Sequence, residues 1–278
     1  MTLLAIVGTL IVGVIAGVSA GMFGIGGALL STPLLHELVG LPAWIALATP
    51  LPATIPAAIA GSFIYRRGGY LVSGAILPVA IGGIPMTILG AYLVRFVPGI
   101  VMMLLTGILL AYSAILFLRK SRTKSDERSD ARGAKRETTE GRKGGGLWGG
   151  NNPPTGTTWS TLLLIGVAAG FLSGFLAIGG GLVMVPAFIK LVGMTTKQAL
   201  ATSLACITLL AIPGTLTHHL NGFIDWPIAL ILCAVVVPFS MLGARITSRL
   251  RSHVVERAYG ILMLTFAVAF VVKKLVDL

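Results

Sequence analysis

Long runs of apolar residues separated by short polar segments occupy most of the chain. Most of these runs have 18 or more residues, roughly enough for an α-helix to cross about 30 Å of hydrocarbon. The pattern therefore predicts an all-α polytopic membrane protein with about eight to ten helices in total. The runs cover roughly residues 2–20, 26–41, 43–64, 71–94 and 98–118, followed by 161–177, 181–193, 198–217, 226–244 and 254–272.

The second run in each half of the chain is too short to cross a bilayer on its own. These two runs, at roughly 26–41 and 181–193, contain about 13 to 16 residues, or about 20 to 24 Å of helix. Each begins at a cluster of glycines, which predicts a broken or re-entrant half-helix. A broken helix is tolerated in a membrane only where the freed backbone groups are buried in protein or line a wet cavity.

The glycine clusters belong to a sequence that occurs twice. GVSAGMFGIGGALLSTPLL, which starts at Gly17, matches GFLSGFLAIGGGLVMVPAF, which starts at Gly170, without a gap and 153 positions later. The same offset carries Pro33 onto Pro186. In transporters, matching Gly- and Pro-interrupted segments in the two halves indicate where the binding site lies.

The composition agrees with a membrane protein and excludes a soluble one. Of the 278 residues, 55% are hydrophobic and 11% are charged, and the mean hydropathy is +0.94. The net charge is +12, and residues 119–143 contribute ten Lys or Arg against five Asp or Glu. Because this segment has no aromatic residue and no apolar periodicity, it predicts a disordered basic linker on the cytoplasmic side and no nucleic-acid partner.

The expected domain organisation is a first membrane repeat at residues 1–118, a cytoplasmic linker at 119–158 and a second membrane repeat at 159–278. Basic residues follow the third run of the first copy but the fourth run of the second copy. Because Lys and Arg accumulate in cytoplasmic loops, this exchange predicts inverted repeats of about five transmembrane or half-membrane helices each. The alternative is four plus four helices in parallel copies, with the short helices as re-entrant loops. The basic residues concerned are Arg66 and Arg67 in the first copy and Arg245, Arg249 and Arg251 in the second.

The duplicated motifs are Gly24-Ile25-Gly26-Gly27 through Pro33 and Ile178-Gly179-Gly180-Gly181 through Pro186, with Ala48-Thr49-Pro50 and Ala201-Thr202-Ser203-Leu204 downstream. They resemble the TauE/SafE sulfite exporter family, also called the toluene sulfonate uptake permease family. The resemblance covers nearly the whole chain outside the linker. It implies a multi-pass permease of the cell inner membrane for small sulfur-containing or organic anions such as sulfite or sulfonates. The two motifs differ at one position, where Ala28 stands against Gly181, so they need not contribute equally.

Physical reasoning places the substrate at the glycine clusters. A half-helix that begins inside the membrane presents uncapped N–H groups and the positive end of its dipole to a ligand. Glycine lets an anion approach the backbone closely, and nearby hydroxyls add neutral donors. The candidate substrate-binding residues are Gly24, Gly26, Gly27, Ser31, Thr49, Gly179, Gly180, Gly181, Thr202 and Ser203.

The sequence gives no indication of an enzyme, a metal site or a cofactor. We therefore expect a secondary transporter that works by alternating access, with a small anion as substrate and a proton or cation as the candidate coupling ion. The alternative is a non-transport membrane protein, either an intramembrane enzyme or a scaffold or sensor. His218 and His219 stand beside Asn221-Gly222, which favours loop residues over a metal site or a proton relay.

Overall fold

The computed structural model describes residues 3–109 except residue 103, residues 158–250, and most positions between 254 and 265. All regular secondary structure in these ranges is helical. The predicted linker lies outside the described residues, apart from its last residue, Thr158.

Ten helices are defined in the described ranges before residue 251, and the described positions between 254 and 265 are helical as well. The third predicted run is divided at Thr49, which separates a short helix from a longer one. The helices are α1 (Leu3–Phe23), α2 (Ala28–Leu34, continued by a π-helical turn at Leu35–Val39), α3 (Ala43–Ala48), α4 (Pro50–Arg67), α5 (Ile76–Leu93), α6 (Gly99–Leu109), α7 (Trp159–Leu176), α8 (Gly181–Lys190), α9 (Thr196–Leu220) and α10 (Trp226–Arg249). Short 3-10 turns at Ser73–Ala75 and Val94–Phe96 flank α5.

In the described part of the chain, six helical segments are long and apolar enough to cross a membrane, which confirms the predicted class of protein. The second runs of both halves are shorter helices that begin directly after glycines, as predicted. The six segments are Ala5–Phe23, Ala43–Arg67, Ser73–Phe96, Trp159–Leu176, Thr196–Leu220 and Trp226–Arg249, and the shorter apolar helices are Ala28–Val39, Gly99–Leu109 and Gly181–Lys190.

The backbone repeats with the same offset as the sequence. Every residue with positive φ in the described part of the chain has a positive-φ partner 153 positions away. Ala177, with φ of 50°, is the one such residue that is not glycine. The pairs are Gly24 and Ala177, Gly26 and Gly179, Gly27 and Gly180, Gly40 and Gly193, and Gly69 and Gly222. We call residues 24–27 the first break and residues 177–180 the second break.

The first helix of each repeat packs against the helix of the fourth apolar run in the other repeat, so that α1 contacts α10 and α7 contacts α5. In α1, Gly13 faces Leu232, Gly17 faces Val236 and Gly21 faces Ser240 of α10. In α7, Gly166 faces Val79, Gly170 faces Gly83 and Gly174 faces Thr87 of α5. Because the contacting residue numbers rise together, both pairs of helices are parallel. The glycines that recur every four residues on α1 and α7 therefore form helix-packing surfaces, as this spacing indicates.

The long central helices α4 and α9 cross each other in opposite directions. A β-carbon at Gly61 of α4 would lie 3.0 Å from a Leu204 methyl group, and one at Gly214 of α9 would lie 3.1 Å from a Leu51 methyl group. The order of contacts is thus reversed between the two helices, which makes them antiparallel.

The other long helices follow one or the other of these two directions. The Ser240 hydroxyl of α10 donates to the carbonyl oxygen of Ala57 at 2.8 Å, while Leu232 of α10 lies near Pro50, so α10 runs parallel to α4. Gly83 and Thr87 of α5 face Leu210 and Gly214 of α9 in rising order. Helices α1, α4 and α10 therefore point one way, and α5, α7 and α9 point the other way.

Candidate functional site

Both short helices begin at a left-handed glycine inside the protein. The N-cap residues are Gly27, with φ of 79°, and Gly180, with φ of 75°. A side chain cannot replace either glycine, because a β-carbon would lie 2.7 Å from the carbonyl oxygen of Ala16 or 2.8 Å from that of Ala169. Glycine also provides no side-chain cap, so the first N–H groups of both helices remain available to a ligand.

The two breaks meet at the centre of the protein. A β-carbon at Gly181 would overlap the carbonyl oxygen of Gly24 and lie 2.7 Å from the Cα of Ile25. The Ser203 hydroxyl of α9 donates to the same Gly24 carbonyl oxygen at 2.8 Å. The first break is thus held against the start of α8 by backbone contact and by one buried hydrogen bond.

Ile207 of α9 covers both breaks on one side. One of its methyl groups lies 3.4 Å from the β-carbon position of Gly26 and 3.2 Å from that of Gly179. Thr54 of α4, which occupies the equivalent place in the first repeat, lies 3.6 Å from the β-carbon position of Gly26. The crossing of α4 and α9 therefore lies directly over the glycines.

A narrow cleft opens at the first break. It contains about 180 Å³ of space between atoms, part of it open to the outside, and it is too narrow for a free water molecule. Its polar contributors are the backbone of Gly26 and Gly27 and the hydroxyls of Ser31 and Thr54, and no charged side chain lines it. Both hydroxyls donate within the protein: Ser31 to the Gly27 carbonyl oxygen at 3.1 Å, and Thr54 to that of Leu51 at 2.7 Å.

The second break has an apolar counterpart of this cleft. Met184 stands where the first repeat has Ser31, and Ile207 stands where it has Thr54. The Met184 side chain is fully buried, and its terminal methyl group lies 3.3 Å from the β-carbon position of Gly180. The two breaks share a backbone conformation, but the Ser31 and Thr54 hydroxyls beside the first break have apolar counterparts at the second.

Thr49 and Thr202 lie apart from the breaks and join the two repeats elsewhere. The Thr49 hydroxyl oxygen accepts from the backbone N–H of Asp225 at 3.1 Å, and that of Thr202 accepts from the N–H of Val72 at 3.2 Å. Thr49 precedes Thr54, and Thr202 precedes Ile207, by five positions, which is about 7.5 Å of helix. Thr54 and Ile207 are the residues at the helix crossing. Because α4 and α9 are antiparallel, the two threonines lie on opposite sides of the crossing.

The structure therefore brings together eight of the ten predicted site residues and separates two. Thr54 is a residue that the sequence analysis missed. A signal was present, because Thr54 is a polar residue in an apolar run, one helical turn after Pro50 of the Ala48-Thr49-Pro50 motif. The residues that gather around the two breaks are Gly24, Gly26, Gly27, Ser31, Gly179, Gly180, Gly181 and Ser203.

The prediction that His218 and His219 are loop residues is wrong. Both belong to the last turn of α9, because this helix continues to Leu220, and His218 is fully buried. Its Nε2 atom lies 2.9 Å from the carbonyl oxygen of Gly174. The described residues contain no group of three or more His, Cys, Asp or Glu side chains that could hold a metal ion.

Comparison with known proteins assigns a family to nearly the whole chain. Residues 9–270 match the Sulfite exporter TauE/SafE family. A probable membrane transporter protein of Xylella fastidiosa (strain 9a5c) is 27% identical over 96% of this chain and 95% of its own length. Similar proteins with the same description occur in Methanocaldococcus jannaschii, 28% identical over 87% of this chain and 86% of that protein, and in Bacillus subtilis, 24% identical over 91% and 93%. No solved structure is significantly similar to this chain.

Proposed function

Since this chain belongs to the sulfite exporter TauE/SafE family, we propose that it is a secondary transporter for small sulfur-containing or organic anions, such as sulfite or sulfonates. In this proposal the anion crosses the cytoplasmic membrane by alternating access of the two repeats. The observation that carries the proposal is the meeting of two helix-breaking glycine segments beneath the crossing of α4 and α9. Binding sites of transporters with internal repeats lie at such interfaces.

The first break provides a neutral environment that attracts anions. The apolar helix Ala28–Val39 directs its N-terminal N–H groups and the positive end of its dipole toward the cleft. Ser31 and Thr54 can turn their hydroxyl hydrogens from backbone carbonyls to a ligand. A site without a buried Arg or Lys holds an anion weakly enough to release it, which transport requires.

The hydroxyl donors of the cleft lie beside the first break, so we assign the main contacts with the oxyanion to that side. The second break contributes backbone from Gly179 and Gly180, and Met184 and Ile207 provide an apolar wall. An anion with one charged oxygen-bearing end and one apolar end fits such a division. Sulfonates have this form, and sulfite has a comparably small anionic group.

The directions of the helices support the inverted arrangement of five plus five elements. Helices α1 and α4 are parallel, so the chain must return between them, and α2 with its π-helical turn provides the return. A β-carbon at Gly8, near the start of α1, would lie 3.4 Å from a Val39 methyl group, which brings the end of this return beside the start of α1. The alternative of four plus four helices in parallel copies requires α1 and α7 to point the same way, and the contacts above favour opposite directions.

The distribution of basic residues supports a cytoplasmic linker. Arg66 and Arg67 end α4, and Arg249 ends α10, which is parallel to α4. The Lys197 ammonium group at the start of α9 donates to the carbonyl oxygen of Ser248 at 3.1 Å, which brings it to the same face. Helix α7 begins on this face too, so the segment that precedes α7 is proposed to lie there, in the cytoplasm.

Topology can be measured with tags. We expect a tag inserted between residues 119 and 143 to be protected from external protease in intact cells, and a tag after Leu278 to be cleaved. Five elements per repeat place the linker and the C-terminus on opposite sides, and four plus four elements place them on the same side. Accessibility of both tags from one side would contradict the inverted arrangement, and a cytoplasmic protein of known location provides the control for cell integrity.

The proposed function is tested by flux in liposomes that contain the purified protein. We expect counterflow of radiolabelled sulfite or of an organosulfonate, measured against sulfate, thiosulfate, sulfoacetate, taurine and lactate as competitors. Protein-free liposomes and liposomes with an unrelated membrane protein give the background. Absence of flux for all of these anions, with folded protein in the bilayer, would favour the non-transport alternative.

A further inference from the structure

In each repeat, one side chain of the long central helix forms a hydrogen bond with the backbone of the helix that precedes the break. In the first repeat the Tyr65 hydroxyl donates to the carbonyl oxygen of Gly21 at 3.0 Å. In the second repeat His218 makes the equivalent contact with Gly174 at 2.9 Å. Both bonded carbonyls lie three residues before a break. The geometry is therefore the same in both repeats, but one side chain is a phenol and the other is an imidazole.

The imidazole keeps a lone pair that the protein does not use. A carbonyl oxygen can only accept, so Nε2 of His218 carries the hydrogen and Nδ1 is a bare acceptor in the neutral ring. His218 is fully buried, and Nδ1 has no hydrogen-bond partner among the described residues. Buried polar atoms without partners are rare in proteins and indicate a ligand, a water molecule or a proton that occupies the place in another state.

Two further buried hydroxyl oxygens without partners lie on α7 and α9, the two helices that the hydrogen bond between His218 and Gly174 joins. They belong to Ser173, next to Gly174 on α7, and to Thr215, which lies one turn before His218 on α9. These two atoms and His218 Nδ1 are all the buried side-chain nitrogen or oxygen atoms without a partner in the described part of the chain. Position 20, the counterpart of Ser173 in the first repeat, is Ala20. The unused hydrogen-bonding capacity is thus found in the second repeat.

We propose that His218 is the proton-binding site that couples proton movement to anion transport. This inference rests on the proposed transport function and deepens it by naming the coupling ion. A proton from water binds the Nδ1 lone pair and leaves by the reverse step. The ring then carries a positive charge beside the Gly174 carbonyl and strengthens that hydrogen bond. Because Gly174 lies three residues before Ala177, the charge state of His218 changes how firmly the second break is secured.

The described elements next to His218 carry few ionisable side chains. Helices α3 and α7 carry no ionisable side chain, and α5 carries Tyr92, which is stacked by Arg95 from the following turn. Asp225 lies in the loop after α9 and caps α10 by accepting from the N–H of Ile228. On the same helix the exposed His219 accepts from the Trp226 indole N–H. His218 is three residues from Asn221, which caps the end of α9.

The test separates proton coupling from anion exchange in liposomes that contain the full chain. With one proton per monovalent anion, transport moves no net charge, and an imposed pH difference of one unit drives about tenfold accumulation of radiolabelled methanesulfonate. His218→Gln keeps a donor for the Gly174 carbonyl and removes the group that binds the proton. We expect this variant to exchange methanesulfonate in counterflow within about threefold of the unmodified protein and to lose the gradient-driven accumulation. The neighbouring His219→Gln is the matched control and should keep both activities.

Two results would overturn the proposal while leaving anion transport intact. One is accumulation driven by the pH gradient in the His218→Gln variant, and the other is anion exchange without any response to the gradient in the unmodified protein. A direct measurement covers the case in which the variant loses all flux. In protein with ¹³C-labelled histidine, the His218 resonance should shift when a proton binds the ring, and a resonance that stays constant over the pH range in which the anion accumulates would refute the assignment.

Discussion

Replacing Gly26 with valine should reduce anion flux by at least about a hundredfold, which corresponds to about 2.7 kcal/mol. Gly26 has φ of 80°, and its β-carbon position lies 3.4 Å from Ile207 and 3.6 Å from Thr54. There is therefore room for the β-carbon of valine, but its two methyl groups would fill the cleft where the anion is proposed to bind. The measurement is counterflow in liposomes, normalised to the amount of inserted protein.

Gly40→Val is the matched control for this change. Gly40 has φ of 74°, and a β-carbon there would meet nothing within 4 Å. Both variants carry the same backbone strain, of the order of 1 to 2 kcal/mol, but only the change at Gly26 fills the cleft. The second repeat offers the same comparison in Gly179→Val and Gly193→Val. Equal flux in the Gly26 and Gly40 variants would show that the first break is not the binding site.

Gly21→Ala should destabilise the folded protein by about 2 to 3 kcal/mol or more. A β-carbon at Gly21 would overlap the carbonyl oxygen of Ser240 and lie 2.8 Å from the backbone nitrogen of Ala244. Both neighbours are backbone atoms, so α1 and α10 would have to separate. We expect a lower melting temperature and a lower yield of monodisperse protein in detergent. Gly174→Ala should act in the same way on α7 and α5, where the Thr87 carbonyl oxygen is in contact.

Gly8→Ala is the matched control, because Gly8 lies on the same helix as Gly21 and the substitution adds the same methyl group. A β-carbon at Gly8 would lie 3.4 Å from a Val39 methyl group, which is ordinary contact with a side chain. Alanine favours helix over glycine by about 1 kcal/mol, so this variant should be as stable as the original protein or more stable. A Gly21→Ala protein that melts no lower than Gly8→Ala would contradict the close packing of α1 on α10.

Much of the backbone could be predicted from the sequence because glycine has a special conformational freedom. Gly26-Gly27 and Gly179-Gly180 interrupt apolar runs at matched positions, and the left-handed conformation that ends a helix there is readily available to glycine. The broken short helices follow directly from this. The pairing of helices could not be predicted in the same way. The spacing of Gly13, Gly17 and Gly21 predicts a packing surface but does not say which helix covers it.

The side chains at the site were less predictable, for reasons of geometry. The Thr49 and Thr202 hydroxyls were candidates for anion contact, but the structure uses them to accept backbone N–H groups of the other repeat. That role depends on the loops before α5 and α10, which have no distinctive motif. Tyr65 and His218 occupy equivalent positions with different chemistry, and only their shared contact with a carbonyl three residues before a break reveals the relationship.

The exchange of helices between the two repeats has a consequence for biosynthesis. The glycine face of α1 is completed by α10, so Gly13 emerges from the ribosome about 220 residues before Val235, whose side chain covers it. At about 5 to 20 residues per second, this interval lasts about 10 to 40 seconds. During that time α1 must be retained beside the insertion machinery or shielded by lipid, and a nascent chain truncated before α10 would be a substrate for membrane quality control.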